Sequence, residues 1–317
     1  MATKKTTKKA AAKKSSPVKK KTTKATTTKK TLTKVTTKKL VTNNKPFGAK
    51  LPKNLINIVL AELVGTFVLT LVALFSAFFM GSFYVGLALM VIVLSIGAIS
   101  GAHINPAVTF GLWTMRKVKT ALMLFYWAAQ LLGSMAAVVL LGSLSDNQFV
   151  IHFDHFTAFS WGIFFVELIG MAVFMFGVAA AVTKLDAKPV TKAFGIGMSL
   201  TIGLIVASTL GGYVQAAEAN KYQEKMLKQT TAKIADKKEG ERTYPRELYI
   251  TGSTLNPAVA LAVTEKTDSQ LQSNSVVAQK DEKSYSRFGI EVILATLIGA
   301  ALGGNLFLLV NYRSQEV

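Results

Sequence analysis

From Leu63 to Met115 the chain runs for 53 residues without an Asp, Glu, Lys or Arg. A membrane-spanning helix needs about 20 apolar residues. The stretch is therefore too long for one span and fits two with a remainder. Further charge-free stretches cover residues 120–145, 168–183, 193–217 and 292–312. With their flanks they predict six spanning helices at about 55–79, 85–101, 120–144, 159–182, 193–212 and 287–310. A soluble core does not supply six such runs, and only 17% of the residues are charged, against about 25% in soluble domains. The expected fold class is an all-α membrane protein.

The net charge of +20 is concentrated at one end. Residues 1–54 hold 18 of the 37 Lys and Arg, all lysine, and no Asp or Glu; the rest of the chain has 19 basic against 17 acidic residues. The predicted organisation is a Lys/Thr/Ala-rich tail at 1–54 and an apolar, nearly neutral domain at 55–317. The tail has almost nothing to bury, so disorder is expected. It lacks both the apolar core of a secretory signal and the arginines of a transit peptide. Three roles stand open for it: a solvated segment whose charge holds the N-terminus in the cytoplasm, contact with anionic lipid, or contact with nucleic acid. The absence of cysteine excludes disulfides, iron–sulfur clusters, thiolate zinc sites and cysteine nucleophiles.

Lysines and arginines near span ends set orientation. Arg116, Lys117 and Lys119 follow the second span, Lys184, Lys188 and Lys192 the fourth, and Arg313 the sixth. All fall on the side of the tail, so both termini are expected in the cytoplasm of a multi-pass protein of the cell membrane. One region disagrees: residues 213–249, on the predicted outer side, hold eight basic and six acidic residues.

The sequence repeats itself. Ala61-Glu62-Leu63-Val64-Gly65 resembles Val166-Glu167-Leu168-Ile169-Gly170, and Ile104-Asn105-Pro106-Ala107-Val108 recurs as Leu255-Asn256-Pro257-Ala258-Val259. Leu132-Gly133-Ser134 has a looser echo in Ile298-Gly299-Ala300. The repeats are expected at 55–145 and 159–310, with a polar insertion at about 213–249. Each carries three spans. Three is odd, so the second repeat enters the membrane from the opposite face, which is the inverted-repeat plan with its site near the midplane.

Each Asn-Pro-Ala reads as a helix start, because Asn is a good N-cap and Pro suits the first helical position. The short apolar segments that follow rise about 10 Å as helix, a third of the hydrocarbon core. Each is a candidate half-helix, and irregular backbone at that depth is tolerated where it lines a cavity. If Asn105, Pro106 and Ala107 meet Asn256, Pro257 and Ala258 head to head, two positive helix ends converge and two amide donors face the cavity. Such a site accepts water or neutral hydroxyls and repels cations. A lone motif of this kind marks an ordinary turn or cap.

These residues resemble the major intrinsic protein family, the aquaporins and aquaglyceroporins that include glycerol uptake facilitators. The resemblance covers about residues 55–310 and includes Ala61-Glu62-Leu63-Val64-Gly65-Thr66, the run Ser100-Gly101-Ala102-His103-Ile104-Asn105-Pro106-Ala107-Val108-Thr109, and Tyr126-Trp127-Ala128-Ala129-Gln130. It implies six tilted helices plus two re-entrant half-helices, one pore per chain, and a homotetramer. It also implies that the structural carboxylates Glu62 and Glu167 accept hydrogen bonds from the two motif loops; snorkelling to an interface and a proton relay are the alternatives. It places His103 beside the pore loop, with a hydrogen-bonded structural role as the alternative.

The sequence departs from the family at the constriction. The family usually has Arg three residues after the second motif's Asn; here Val259 stands there, followed by Ala260. Aligned by spacing, the selectivity ring is Val85, Leu204, Ser253 and Val259, with one hydroxyl and no charge. A wide, apolar ring resembles glycerol-type pores. Residues 215–238 are helix-prone, either covering the outer mouth or making a solvated excursion, and the link 264–286 is long and polar. Glu291 is expected at the interface. His152 and His155, flanking Asp154, are expected in a solvated loop, with a metal site as the sharper alternative.

The expected function is passive passage of water and small neutral solutes, glycerol favoured. The competing class is a membrane-anchored tether that binds anionic lipid or nucleic acid through its tail. No nucleophile–base constellation and no phosphate loop support an enzyme, and neither a cofactor nor a metal is expected.

Overall fold

The computed structural model describes residues 51–75, 81–145, 151–184, 186–228, 244–273 and 283–312. The chain divides into two units, Met1–Pro46 and Phe47–Val317. The first, which holds most of the predicted tail, lies outside the described residues.

In chain order the elements are α1 (Leu55–Phe75), α2 (Gly81–Ser100), α3 (Pro106–Thr114), α4 (Thr120–Leu144), β1 (Ile151–His152), α5 (Trp161–Thr183) and α6 (Pro189–Lys228). A 3-10 turn (Arg246–Tyr249), α7 (Pro257–Ala262), α8 (Asp268–Ser273), β2 (Ser284–Tyr285) and α9 (Ile290–Asn311) follow. Among the described residues six helices, α1, α2, α4, α5, α6 and α9, are long and apolar enough to cross a membrane. The helices α3 and α7 are short, nine and six residues.

These long helices are apolar on every side, so sidedness comes from side-chain size and polarity. In α1 the buried residues include Ala61, Glu62, Gly65, Thr66, Leu69 and Thr70, spaced three and four apart. Leu60, Val64 and Val68 on the other side are exposed. Small and polar groups inside with large aliphatics outside suit a helix whose outer solvent is lipid. The small residues set the spacing. A Cβ on Gly133 of α4 would collide with the Leu63 carbonyl of α1, and one on Gly299 of α9 would lie 2.5 Å from the Leu168 carbonyl of α5. Those four positions are the equivalent ones of the sequence repeat.

The packing follows the repeat. Helix α1 lies against α2 and α4 as α5 lies against α6 and α9, and α2 meets α6 between the halves. The short helices are exchanged: α3 packs mainly on α9 of the second half, and α7 on α4 of the first.

The structure corrects the fifth span and part of the insertion. Helix α6 runs without a break to Lys228, 40 residues in all, rather than ending at 212. At 1.5 Å per residue it is about 60 Å long, twice the hydrocarbon core. Gly211 and Gly212 cost about 1 kcal/mol each in a helix, which the following Ala, Gln, Glu, Met, Lys and Leu offset. The pairs Glu218–Lys221 and Glu224–Lys228 close at 2.6 and 2.5 Å on its surface. Gln215 ties the helix to the following segment, donating to the Glu247 carbonyl at 3.1 Å and to that of Ile250. Residues 229–243 lie outside the described residues.

Candidate functional site: a cavity at the junction of two half-helices

Both motif asparagines are extended N-caps. Asn105 has φ −157° and ψ 120°, Asn256 φ −150° and ψ 109°, and a proline follows each at the first helical position. Asn105 Oδ1 accepts from the backbone N–H groups of Ala107 (2.8 Å) and Val108 (3.4 Å). Asn256 Oδ1 accepts from those of Ala258 (3.0 Å) and Val259 (3.5 Å). With the oxygen committed to its own helix, each amide nitrogen faces the other half. Asn105 Nδ2 donates to the Leu255 carbonyl at 2.8 Å, and Asn256 Nδ2 to the Ile104 carbonyl at 3.0 Å. The N-termini of α3 and α7 are thereby joined. Each amide keeps a second N–H, because a side-chain amide carries two donors. Pro106, Ala107, Pro257 and Ala258 are buried in the first turns.

The carbonyls reach across because the preceding residues adopt left-handed backbone. Ala102, Ile104 and Leu255 have φ of 50°, 41° and 49°. Two buried carboxylates hold these loops. Glu62 accepts from the N–H groups of His103 (2.9 Å) and Ile104 (2.6 Å) and from Gln130 Nε2 (2.8 Å). Glu167 accepts from the N–H groups of Thr254 (3.0 Å) and Leu255 (2.8 Å). Both side chains are wholly buried, so neither snorkels. The His103 ring stacks on Tyr126 with centroids 4.4 Å apart, and its Nδ1 lies 3.2 Å from Thr109 Oγ1.

A cavity of about 1010 Å³ runs past this junction. Asn105 and Asn256 line it, as do all four ring candidates, Val85, Leu204, Ser253 and Val259. Among the described residues the Ser253 hydroxyl has no hydrogen-bond partner. These four residues bring three aliphatic side chains and one hydroxyl to the cavity lining. At one end the lining includes Thr251, Gly252, Val263, Glu265 and Lys266.

Around that end lies a charged cluster that sequence reasoning missed. Arg287, 1% exposed, donates through Nη2 to Glu167 Oε1 at 2.9 Å and through Nη1 to the Thr251 and Gly252 carbonyls at 3.4 and 3.1 Å. Burial pulls its guanidinium below the usual range and Glu167 pulls it back up; an arginine in such a pair stays charged. Arg246 lies between two more carboxylates. Its Nε donates to Glu265 at 2.9 Å, and its Nη2 is 2.8 Å from Glu291 Oε1, an ion pair without hydrogen-bond alignment. Glu291, expected at the interface, is instead fully buried. His155, expected in a solvated loop, is also corrected: its Nδ1 is 3.2 Å from Glu265 Oε2, and its ring stacks on Tyr285 at 3.8 Å. Among the described residues no group of three His, Cys, Asp or Glu is placed to hold a metal ion.

Residues 53–219 match the family described as Major intrinsic protein. Curated relatives include "Aquaporin NIP2-1" of Zea mays, 30% identical over 51% of this chain and 58% of its own length. "Aquaporin TIP1-2" of Musa acuminata is 35% identical over 43% and 53%, and "Aquaporin TIP2-1" of Arabidopsis thaliana 39% identical over 39% and 49%. The chain spans about half the length of the curated relatives it matches. Among solved structures, "X-ray structure of the aquaglyceroporin from Plasmodium falciparum" is 18% identical, with a TM-score of 0.47 over 82% of this chain and 96% of its own.

Proposed function

The chain belongs to the major intrinsic protein family, a family of membrane channels, and we propose that it is a passive channel for water and small neutral solutes, glycerol favoured. The observation that carries this reading is the junction of α3 and α7. Two helix N-termini abut in mid-protein, cross-linked by Asn105 and Asn256, with a lined cavity beside them. The free amide N–H groups offer donors to a passing hydroxyl, and the two positive helix ends disfavour a cation.

The glycerol preference rests on Val85, Leu204, Ser253 and Val259. Three aliphatic walls accept a carbon backbone, and the unengaged Ser253 hydroxyl accepts or donates to a polyol. The working unit is a homotetramer in the cell membrane, with both termini in the cytoplasm and the lysine-rich tail on anionic lipid. Glu62 and Glu167 brace the two loops.

Stopped-flow swelling and shrinking of proteoliposomes tests this. Wild-type protein passes both water and glycerol. The Val259→Arg variant narrows the ring and lowers glycerol flux more than water flux. Arginine at membrane depth costs about 2.5–3.5 kcal/mol by insertion scales, so folding and tetramer formation are measured alongside. A folded variant with an unchanged glycerol-to-water ratio removes Val259 from the ring. Absence of both fluxes from folded wild-type protein overturns the channel and leaves the tether.

A further inference from the structure

We propose that Arg287 determines the ion selectivity of this channel: its guanidinium, one backbone layer behind the outer wall of the cavity, keeps cations out of a mouth whose ring is uncharged. The inference rests on the channel reading above.

It begins from an asymmetry between equivalent carboxylates. Glu62 is held by neutral donors, two backbone N–H groups and Gln130. Glu167 has its two backbone N–H groups as well, but in place of an amide it faces Arg287 at 2.9 Å. The second-half carboxylate is thus neutralised by a guanidinium where the first-half carboxylate has only neutral donors.

That charge sits against the wall. Thr251 and Gly252, whose carbonyls accept from Arg287 Nη1, line the cavity immediately before Ser253. The Arg287 backbone N–H donates to the carbonyl of Val263 at 2.9 Å, and Val263 also lines the cavity. Arg287 therefore grips the outer loop both before and after α7. Its Nη1 is a shared donor to the Thr251 and Gly252 carbonyls.

Of the surrounding charges, Lys266 lines the cavity beside Glu265 but forms no ion pair with Glu167 among the described residues. Three carboxylates, Glu167, Glu265 and Glu291, gather here with two guanidiniums. Arg246 is already divided between Glu265 and Glu291. Among the described residues, the ion pair to Glu167 is Arg287 alone. Without Arg287 the buried Glu167 carboxylate loses its counter-charge behind a wall that carries no charge at Val259. Such a mouth attracts cations.

The test separates ion passage from neutral flux. Potassium conductance across planar bilayers and glycerol swelling of proteoliposomes are measured on the same preparations. Arg287→Gln is expected to pass potassium about tenfold faster than wild type or more, the effect of one unit charge about 12 Å from the path or nearer in protein of effective dielectric about 20, while still passing glycerol. Arg287→Lys is expected to leak less than Arg287→Gln. The double variant Glu167→Gln/Arg287→Gln removes both charges and is expected to exclude potassium again. A merely structural role lowers glycerol flux in both Gln variants and opens no potassium path. If Arg287→Gln does not fold, Arg287→His decides: its leak should be present at about pH 9 and suppressed at about pH 5.5, either side of the imidazole range. A folded Arg287→Gln that excludes potassium overturns the proposal, as does a double variant that leaks equally or a pH-independent leak through Arg287→His. A wild-type protein that passes no glycerol or water overturns the channel reading instead.

Discussion

Ile104 places a β-branched side chain at φ 41°, a backbone conformation costing about 1–3 kcal/mol. Glu62 offsets that cost through its 2.6 Å bond to the Ile104 N–H, since a hydrogen bond to a charged group contributes about 1.5–3 kcal/mol net. Leu255 and Glu167 repeat the balance. The turn aims each preceding carbonyl at the opposite asparagine, so carboxylate, turn and amide act as one unit. Substitution at Asn256 separates its two roles. Aspartate keeps the N-cap acceptor for α7, loses the donor to Ile104, and puts a negative charge where two positive helix ends converge. Asn256→Asp is therefore expected to fold and to conduct potassium. Asn256→Ala removes the cap, at about 1 kcal/mol, without adding charge, and is expected to lose stability but still exclude potassium. Ion currents and thermal unfolding on both variants check this. An aspartate variant as cation-tight as wild type means the helix ends are not the barrier.

At the scale of elements, spacing between helices is set by glycine where helices cross and by propensity where they leave the bilayer. Gly133→Ala drives a methyl into the Leu63 backbone, and overpacking of this kind costs about 1–3 kcal/mol. Gly212→Ala in α6 meets no atom within 4 Å and gains up to about 1 kcal/mol of helix propensity. Thermal unfolding in detergent should fall for the first and rise or hold for the second. An unchanged midpoint for Gly133→Ala means α1 and α4 can part without loss. The same two controls explain what the sequence disclosed. Six spans were legible because lipid demands unbroken apolar runs, and the starts of α3 and α7 because Asn-Pro capping is local chemistry. The end of α6 was not, because hydropathy falls after Ala217 while helix propensity does not. The Arg287–Glu167 and Arg246–Glu265 pairs join residues 120 and 19 apart in sequence, and such pairings leave no periodic trace. Glu291 read as interfacial because it borders a charge-free run; its partner Arg246 lies 45 positions earlier, in a segment that reads as a polar insertion.

Across the whole molecule, the charge distribution opposes the expected orientation less than the raw count suggests. Residues 213–249 oppose the expected orientation with eight basic residues. Of these, Arg246 is held between Glu265 and Glu291, and Lys221 and Lys228 are paired on α6. Paired charges have less to gain from an anionic leaflet than free lysines do. The 18 lysines of residues 1–54 have no acid in their own segment, and each contributes about 1 kcal/mol when held near an anionic cytoplasmic surface. The proposed reading therefore assigns insertion and lipid preference to these lysines, and passage to Asn105, Asn256 and the proposed ring, all within residues 85–259. A chain lacking residues 2–45 should conduct water and glycerol at the wild-type rate per inserted protein, in neutral and in phosphatidylserine-containing vesicles alike. Its orientation on reconstitution, read by protease protection of the C-terminus, should become more mixed, and more so with anionic lipid. Flux normalised to inserted protein is the deciding measurement: a large fall at equal abundance would make the tail a gate that closes or opens the pore, and the division of labour between tail and body would be wrong.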